Sequence, residues 1–154
     1  MPSERLIART QAAYARCIDD GSLEDWPGFF EPDCLYRITT ADNYRRGYPA
    51  GIIHADSRGM LHDRVSALRE ANIYEQQSYR HILGAPAILS EDAGEVRSET
   101  SFLVVRIMRN GTSEIFATGR YIDRWRIAGD TASIAERVVV CDSSRIDTLL
   151  ALPI

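Results

Sequence analysis

Residues 95–142 read EVRSETSFLVVRIMRNGTSEIFATGRYIDRWRIAGDTASIAERVVVCD. Three runs within them, Val96 to Met108, Glu114 to Ile127 and Ser133 to Asp142, are rich in β-branched and aromatic residues, the side chains that suit a pleated, half-buried surface. Asn110-Gly111 and Ala128-Gly129-Asp130 separate them, and Asn-Gly is among the strongest short hairpin signals. Long strands joined by tight turns predict an antiparallel meander, to which Tyr79 to Leu83 adds a further strand.

Toward the N-terminus the period changes. Leu6, Thr10, Ala13, Tyr14, Cys17 and Ile18 recur at helical spacing behind Ser3, a candidate N-cap, and Gly21 ends the run. Ser22-Leu23-Glu24-Asp25 reads as a capping-box-like start to a short helix carrying Trp26, Phe29 and Phe30, with Pro27-Gly28 as a potential break. Cys34, Tyr36 and Ile38 alternate with Leu35, Arg37 and Thr39, which predicts a strand, and a loop follows through Asp42, Asn43 and Gly47. Leu61, Val65 and Leu68 return to a helical stripe over residues 56–71. Helices first and a long sheet second is the α+β class. The expected architecture is N-terminal helices packed on one curved antiparallel sheet, a cone, in a single domain spanning residues 1–154.

Composition narrows the function. The 154 residues contain 18 basic side chains against 22 acidic ones, and every base is arginine. The absence of lysine excludes P-loop, Schiff-base and lysine-base chemistry. Acids and bases are intermixed and the formal net charge is −4, so no basic stripe exists to follow a phosphate backbone and no nucleic-acid partner is expected. Apolar runs such as Phe102 to Val105 and Val138 to Cys141 fall far short of the ~20 residues that span a bilayer, so no membrane association is expected. Neither a signal-peptide core nor a paired-cysteine pattern is present; Cys17, Cys34 and Cys141 suit free thiols in a reducing cytoplasm.

Chemistry-bearing patterns are few. His54, Asp56, His62 and Asp63 contain the residue types of a two-histidine, one-carboxylate iron site. On one helix, however, His54 and His62 would lie about 12 Å apart along the axis and about 80° apart around it, too far to share an ion. No cysteine and histidine pairs have Rieske spacing, and the three cysteines sit among apolar neighbours, where inert packing is usual. The carboxylate that needs a reason is Asp123, on a strand face with Ile115, Ala117, Tyr121, Trp125 and Ile127. It serves either as a general base in a cone cavity, assisted by Tyr121, Tyr36 or His81, or as the partner of an arginine such as Arg137 or of another subunit. The abundance of arginine on these strands favours pairing.

Tyr79-Arg80-His81-Ile82-Leu83-Gly84, Gly119-Arg120-Tyr121-Ile122-Asp123, Arg137-Val138-Val139-Val140-Cys141-Asp142 and Thr148-Leu149-Leu150-Ala151-Leu152-Pro153-Ile154, in that order, resemble the small (β) subunits of bacterial aromatic-ring-hydroxylating dioxygenases. The likeness extends to the Tyr14 helix and to Asp25-Trp26, Phe29-Phe30 and Asp33-Cys34-Leu35-Tyr36. Residues 63–75 and Cys141-Asp142-Ser143-Ser144 most resemble members that serve terephthalate dihydroxylation. The resemblance implies a cone fold like nuclear transport factor 2 and an α3β3 hexamer with a large subunit. It also places the Rieske 2Fe-2S cluster and mononuclear Fe(II) in that large subunit, with NADPH-derived electrons arriving through a reductase. Catalytic, cofactor and metal residues are then expected to be absent from this chain, whose task would be assembly. Arg106, Arg120, Arg124 and Arg126, and Leu152 and Ile154 of the apolar tail, are the expected subunit contacts. The rival expectation is a stand-alone isomerase or dehydratase of the same cone shape, using Asp123 or His81, with Tyr121, as acid and base.

Overall fold

The computed structural model describes residues 2–49, 51–71, 77–144 and 152–154. Helix α1, Pro2–Asp19, buries Ser3, Ile7, Gln11, Tyr14, Ala15 and Ile18, a stripe at three- and four-residue spacing. The stripe is rotated from the expected one: Thr10 is half-buried and Ala13 exposed, because polar Gln11 is drawn inward. Ser3 lies inside the helix and its hydroxyl donates to Glu91 Oε2 at 2.9 Å instead of capping. A 3₁₀ helix, Leu23–Phe29, follows with Pro27 inside it and no side-chain cap from Ser22. Phe30, expected in that helix, instead opens strand β1, Phe30–Thr40.

The expected loop after β1 holds a short helix and a strand. Thr40 caps α2, Ala41–Arg45, by accepting from the Asn43 amide, and β2, Ile53–Ala55, pairs antiparallel with β1. Helix α3, Arg58–Ala71, begins two residues later than residue 56, with the Ser57 hydroxyl accepting from the Met60 amide at 3.1 Å. The remaining strands are β3, Gln77–Leu83; β4, Ala87–Asp92; β5, Glu95–Met108; β6, Ser113–Ala128; and β7, Thr131–Cys141. Gly111 adopts φ 89° in the β5–β6 turn, a left-handed conformation that glycine enters without steric cost.

The sheet runs β2-β1-β7-β6-β5-β3, with β4 also pairing with β5. Strands β3, β5, β6 and β7 form the expected antiparallel set; β4 is an additional antiparallel strand outside that expectation, and β1 lies parallel to β7, so the sheet is mixed. The chain between them is long enough to return in either direction, which leaves strand order to packing. One further correction concerns β6. Val104 pairs with Ala117 but Val105 pairs with Ile115; the bulge inserts Phe116 and reverses the side-chain alternation. Ile115 therefore leaves the inner face and is 69% exposed.

Helices α1 and α3 cover the inner face, where Tyr14, Trp26, Phe30, Tyr36, Tyr121 and Trp125 are fully buried. Edge-to-face contacts join Trp26 to Phe30 and Tyr36 at 5.6 and 5.2 Å, the preferred geometry for aromatic pairs.

Candidate functional site

Strand register places Asp123 opposite Arg137, and a polar network grows from that pair inside the cone. Arg137 donates through Nε to Asp123 Oδ1 at 2.9 Å and through Nη2 to Oδ2 at 2.8 Å. Both side chains are inaccessible to solvent. Arg137 Nη2 also donates to Gln11 Oε1 at 3.0 Å, and Gln11 Nε2 donates to Thr100 Oγ1 at 2.8 Å. The guanidinium lies over the Tyr121 and Tyr14 rings, 3.9 and 4.4 Å from their centroids, so charge and π-face contacts act together. Trp125 Nε1 donates to Ser98 Oγ at 2.9 Å.

Burial pushes the Asp123 carboxyl above its ordinary range, and Arg137 pulls against that shift. Burial is the strongest influence on Arg137 and opposes its charge, but Asp123 together with the Tyr14 and Tyr121 hydroxyls outweighs it and raises the guanidinium above its usual value. The pair is held as an ion pair by bidentate geometry. A general base needs a lone pair turned toward substrate, whereas each carboxylate oxygen here accepts from Arg137. Burial raises the Tyr121 and Tyr36 hydroxyls well above the usual tyrosine range.

The other sequence-selected residues are dispersed. His81 pairs with Val104, whereas Asp123 lies six residues further along the neighbouring strand from Ala117, the partner of Val104. His81 is bound instead by Asp19 at the end of α1. Its backbone amide donates to Asp19 Oδ2 at 2.9 Å and its ring Nδ1 lies 2.7 Å from Oδ1. One carboxylate thus covers an amide of the edge strand β3 and orients the ring, a device that protects an open sheet edge. His54 lies exposed on β2 and His62 exposed on α3. Among the described residues no three His, Cys, Asp or Glu side chains gather into a metal-binding group.

The four arginines expected at subunit contacts have acidic partners in the chain. Arg106 meets Glu114, Arg120 meets Glu99 at 3.2 Å, Arg124 lies 3.6 Å from Glu136, and Arg126 meets Glu31 at 2.7 Å. Leu152 and Ile154 are buried in the chain's own core. The Ile154 main-chain oxygen accepts from the Tyr14 and Tyr36 hydroxyls at 2.9 and 3.0 Å. Residues 148–151 of the tail motif, and residues 72–75 of the other, lie outside the described residues. Gln11, Thr100 and Asp19 were not singled out by sequence; the available signal was a glutamine inside the buried stripe of α1.

Comparison with known proteins completes the description. The family model described as "Ring hydroxylating beta subunit" matches residues 13–148. The chain is 51% identical over 154 residues, all of both chains, to the terephthalate 1,2-dioxygenase terminal oxygenase component subunit beta 1 of Comamonas sp.. It is 40% identical over 148 residues, covering 96% of this chain and 92% of the relative, to the anthranilate 1,2-dioxygenase small subunit of Burkholderia cepacia. In three dimensions it resembles a beta subunit from Novosphingobium aromaticivorans assigned to an aromatic-ring-hydroxylating dioxygenase, with TM-score 0.91 and 38% identity over 99% of this chain and 97% of that one.

Proposed function

The chain belongs to the ring-hydroxylating beta-subunit family, and from that membership we propose that it is the small, non-catalytic assembly subunit of an oxygenase that cis-dihydroxylates terephthalate. In this family the Rieske cluster and the mononuclear iron belong to the large subunit. The proposed complex is an α3β3 hexamer in the cytoplasm, receiving NADPH-derived electrons through a reductase, with this chain folded as one domain over residues 1–154. Support for terephthalate as substrate is the full-length 51% identity to the Comamonas subunit.

The observation that carries the non-catalytic reading is the clamp on the candidate base Asp123, whose two oxygens are both bound by Arg137 inside a solvent-inaccessible core. A stand-alone isomerase or dehydratase using Asp123 would need it turned toward a ligand. His81, oriented through its ring Nδ1 by Asp19, is tested directly by the activity measurement on the isolated chain. The deciding experiment is co-expression with a large subunit from the terephthalate-type enzymes, followed by light scattering and iron analysis. The expected result is a complex of three copies of each chain, active on terephthalate, with iron confined to the large subunit. Activity in the isolated chain, or stoichiometric iron bound to it after mild chelation, would overturn the proposal.

A further inference from the structure

Three donors inside the cone have no hydrogen-bond partner among the described residues: Trp26 Nε1, the Tyr121 hydroxyl and Arg137 Nη1. They come from the 3₁₀ helix, β6 and β7, and all three residues are fully buried. A buried donor without an acceptor costs free energy, because the water it left is not replaced. At Tyr121 that cost would vanish with phenylalanine, which keeps the ring and its stacking on Phe102 at 4.7 Å. Donors retained in such a place point to an acceptor that they bind.

Their surroundings define the acceptor. The Tyr14 ring lies 4.4 Å from the Arg137 guanidinium and 6.3 Å from the Tyr121 ring, and Trp26 and Arg137 both approach the Tyr14 hydroxyl. The three donors are therefore gathered on one side of Tyr14. At that side the Ile154 main-chain oxygen accepts from the Tyr14 and Tyr36 hydroxyls, and the Ile154 amide donates to Tyr36 at 3.3 Å. Leu152 and Ile154 belong to the same core cluster as the aromatic rings. Residues 152–154 thus fill the chamber with a main-chain oxygen carried on an apolar body, the chemistry that its walls accept.

Charge narrows the class further. Asp123 already neutralises Arg137 through two bonds, so an entering anion would stand unpaired in a dry interior beside a carboxylate, whereas a neutral acceptor carries no such penalty. Tyr14, Phe30, Tyr36 and Tyr121 meet one another at tilted or edge-to-face angles, and such rings offer apolar walls to a further ring.

We propose that the cone interior is a binding site for a small neutral aromatic molecule bearing a carbonyl oxygen. That oxygen accepts from Arg137 Nη1 and the Tyr121 hydroxyl, and residues 152–154 give way when the ligand enters. The site goes beyond the assembly role, involves no bond-making step and leaves Asp123 bound to Arg137. Its test uses this chain alone, so failure of the site leaves the subunit reading untouched.

The test is calorimetric titration of the full chain with benzamide and with benzoate, which differ in charge but hardly in shape. Wild type is compared with Tyr121→Phe and with Leu152→Ala/Ile154→Ala, which loosens the seated segment; Leu152→Val alone serves if the double variant fails to fold. The expected result is saturable binding of one benzamide per wild-type chain, with benzoate at least tenfold weaker. Benzamide affinity is expected to fall roughly five- to tenfold in Tyr121→Phe, the scale of one hydrogen bond, and to rise in the loosened variant. Because the Tyr121 hydroxyl has no partner to lose, Tyr121→Phe is expected to melt at or above the wild-type temperature. Absence of saturable benzamide binding in both wild type and the loosened variant overturns the proposal, as does benzoate binding as tightly as benzamide. Unchanged affinity in Tyr121→Phe, or affinity in the loosened variant no higher than wild type, overturns it as well. A Tyr121→Phe chain that melts lower while wild type binds no benzamide assigns the donors to buried water alone and also overturns it.

Discussion

Arg137 and Asp123 show what a buried ion pair requires. Two charges removed from water are tolerable only when paired and hydrogen-bonded, and removing one partner leaves the other uncompensated at a cost of about 3–5 kcal/mol. Arg137→Met and Asp123→Leu are each expected to destabilise the chain on that scale. The double substitution is expected to cost much less than the sum, because it leaves no isolated charge. Urea unfolding of the four proteins checks this; additive losses would mean that the two charges are not coupled. The thiols give a pH-dependent companion. Burial pushes Cys17 up to about 11 and Cys141 up to about 12. The thiolate is the reactive form and lies above the pKa, so at pH 8 roughly one Cys17 in a thousand is reactive, against about a quarter of free cysteines. Native alkylation by iodoacetamide is expected to be slow at pH 8 and to accelerate toward pH 11, read by mass spectrometry. Rapid modification of either residue at pH 8 would contradict the burial argument.

Strands β6 and β7 set the geometry on which the ion pair depends. Gly119 pairs with Cys141, and a Cβ at Gly119 would overlap the Val140 main-chain oxygen. Strand backbones cannot separate there without breaking the ladder that places Asp123 opposite Arg137. Gly119→Ala is therefore expected to destabilise the chain by about 1–3 kcal/mol, the range of overpacking. Ile115, on the same strand, offers the contrast. Alternation assigns it to the core, yet the bulge turns it outward to 69% exposure, so Ile115→Thr is expected to change stability by no more than about 0.5 kcal/mol. Thermal melts of the two variants check the pair, and a large loss at Ile115 would show that this face is covered within the isolated chain.

For the whole molecule, substrate choice is expected to travel with the large subunit. A hydrogen bond to an aromatic carboxylate reaches only about 3 Å, and discrimination needs groups beside the reacting ring. Assembled hybrids of this chain with a related large subunit of different specificity are expected to keep that subunit's ranking of terephthalate against other aromatic acids. Competition assays on purified hybrids read the ranking directly. A ranking that followed this chain would show that it shapes the substrate pocket.

Sequence by itself determined the α+β class, the long strands and the inner face of β6 at Tyr121, Asp123 and Trp125, because strand alternation and hairpin turns are local, governed by neighbours a few residues apart. It also made arginine the natural partner of Asp123, since a buried carboxylate needs a cation and these strands carry many. The tertiary structure alone decided the rest. Gln11 joins Arg137 across 126 positions, Asp19 joins His81 across 62, and the Ile154 oxygen meets Tyr14 across 140. Such contacts follow from how helices close over a curved sheet, and no period in the chain encodes them. The parallel placement of β1 beside β7 and the bulge at Phe116 belong to the same class. Both are settled by packing against distant strands, which is why alternation failed at Ile115; strand register likewise sets Arg120 beside Glu99 and Arg124 beside Glu136, pairs that no spacing in the chain shows.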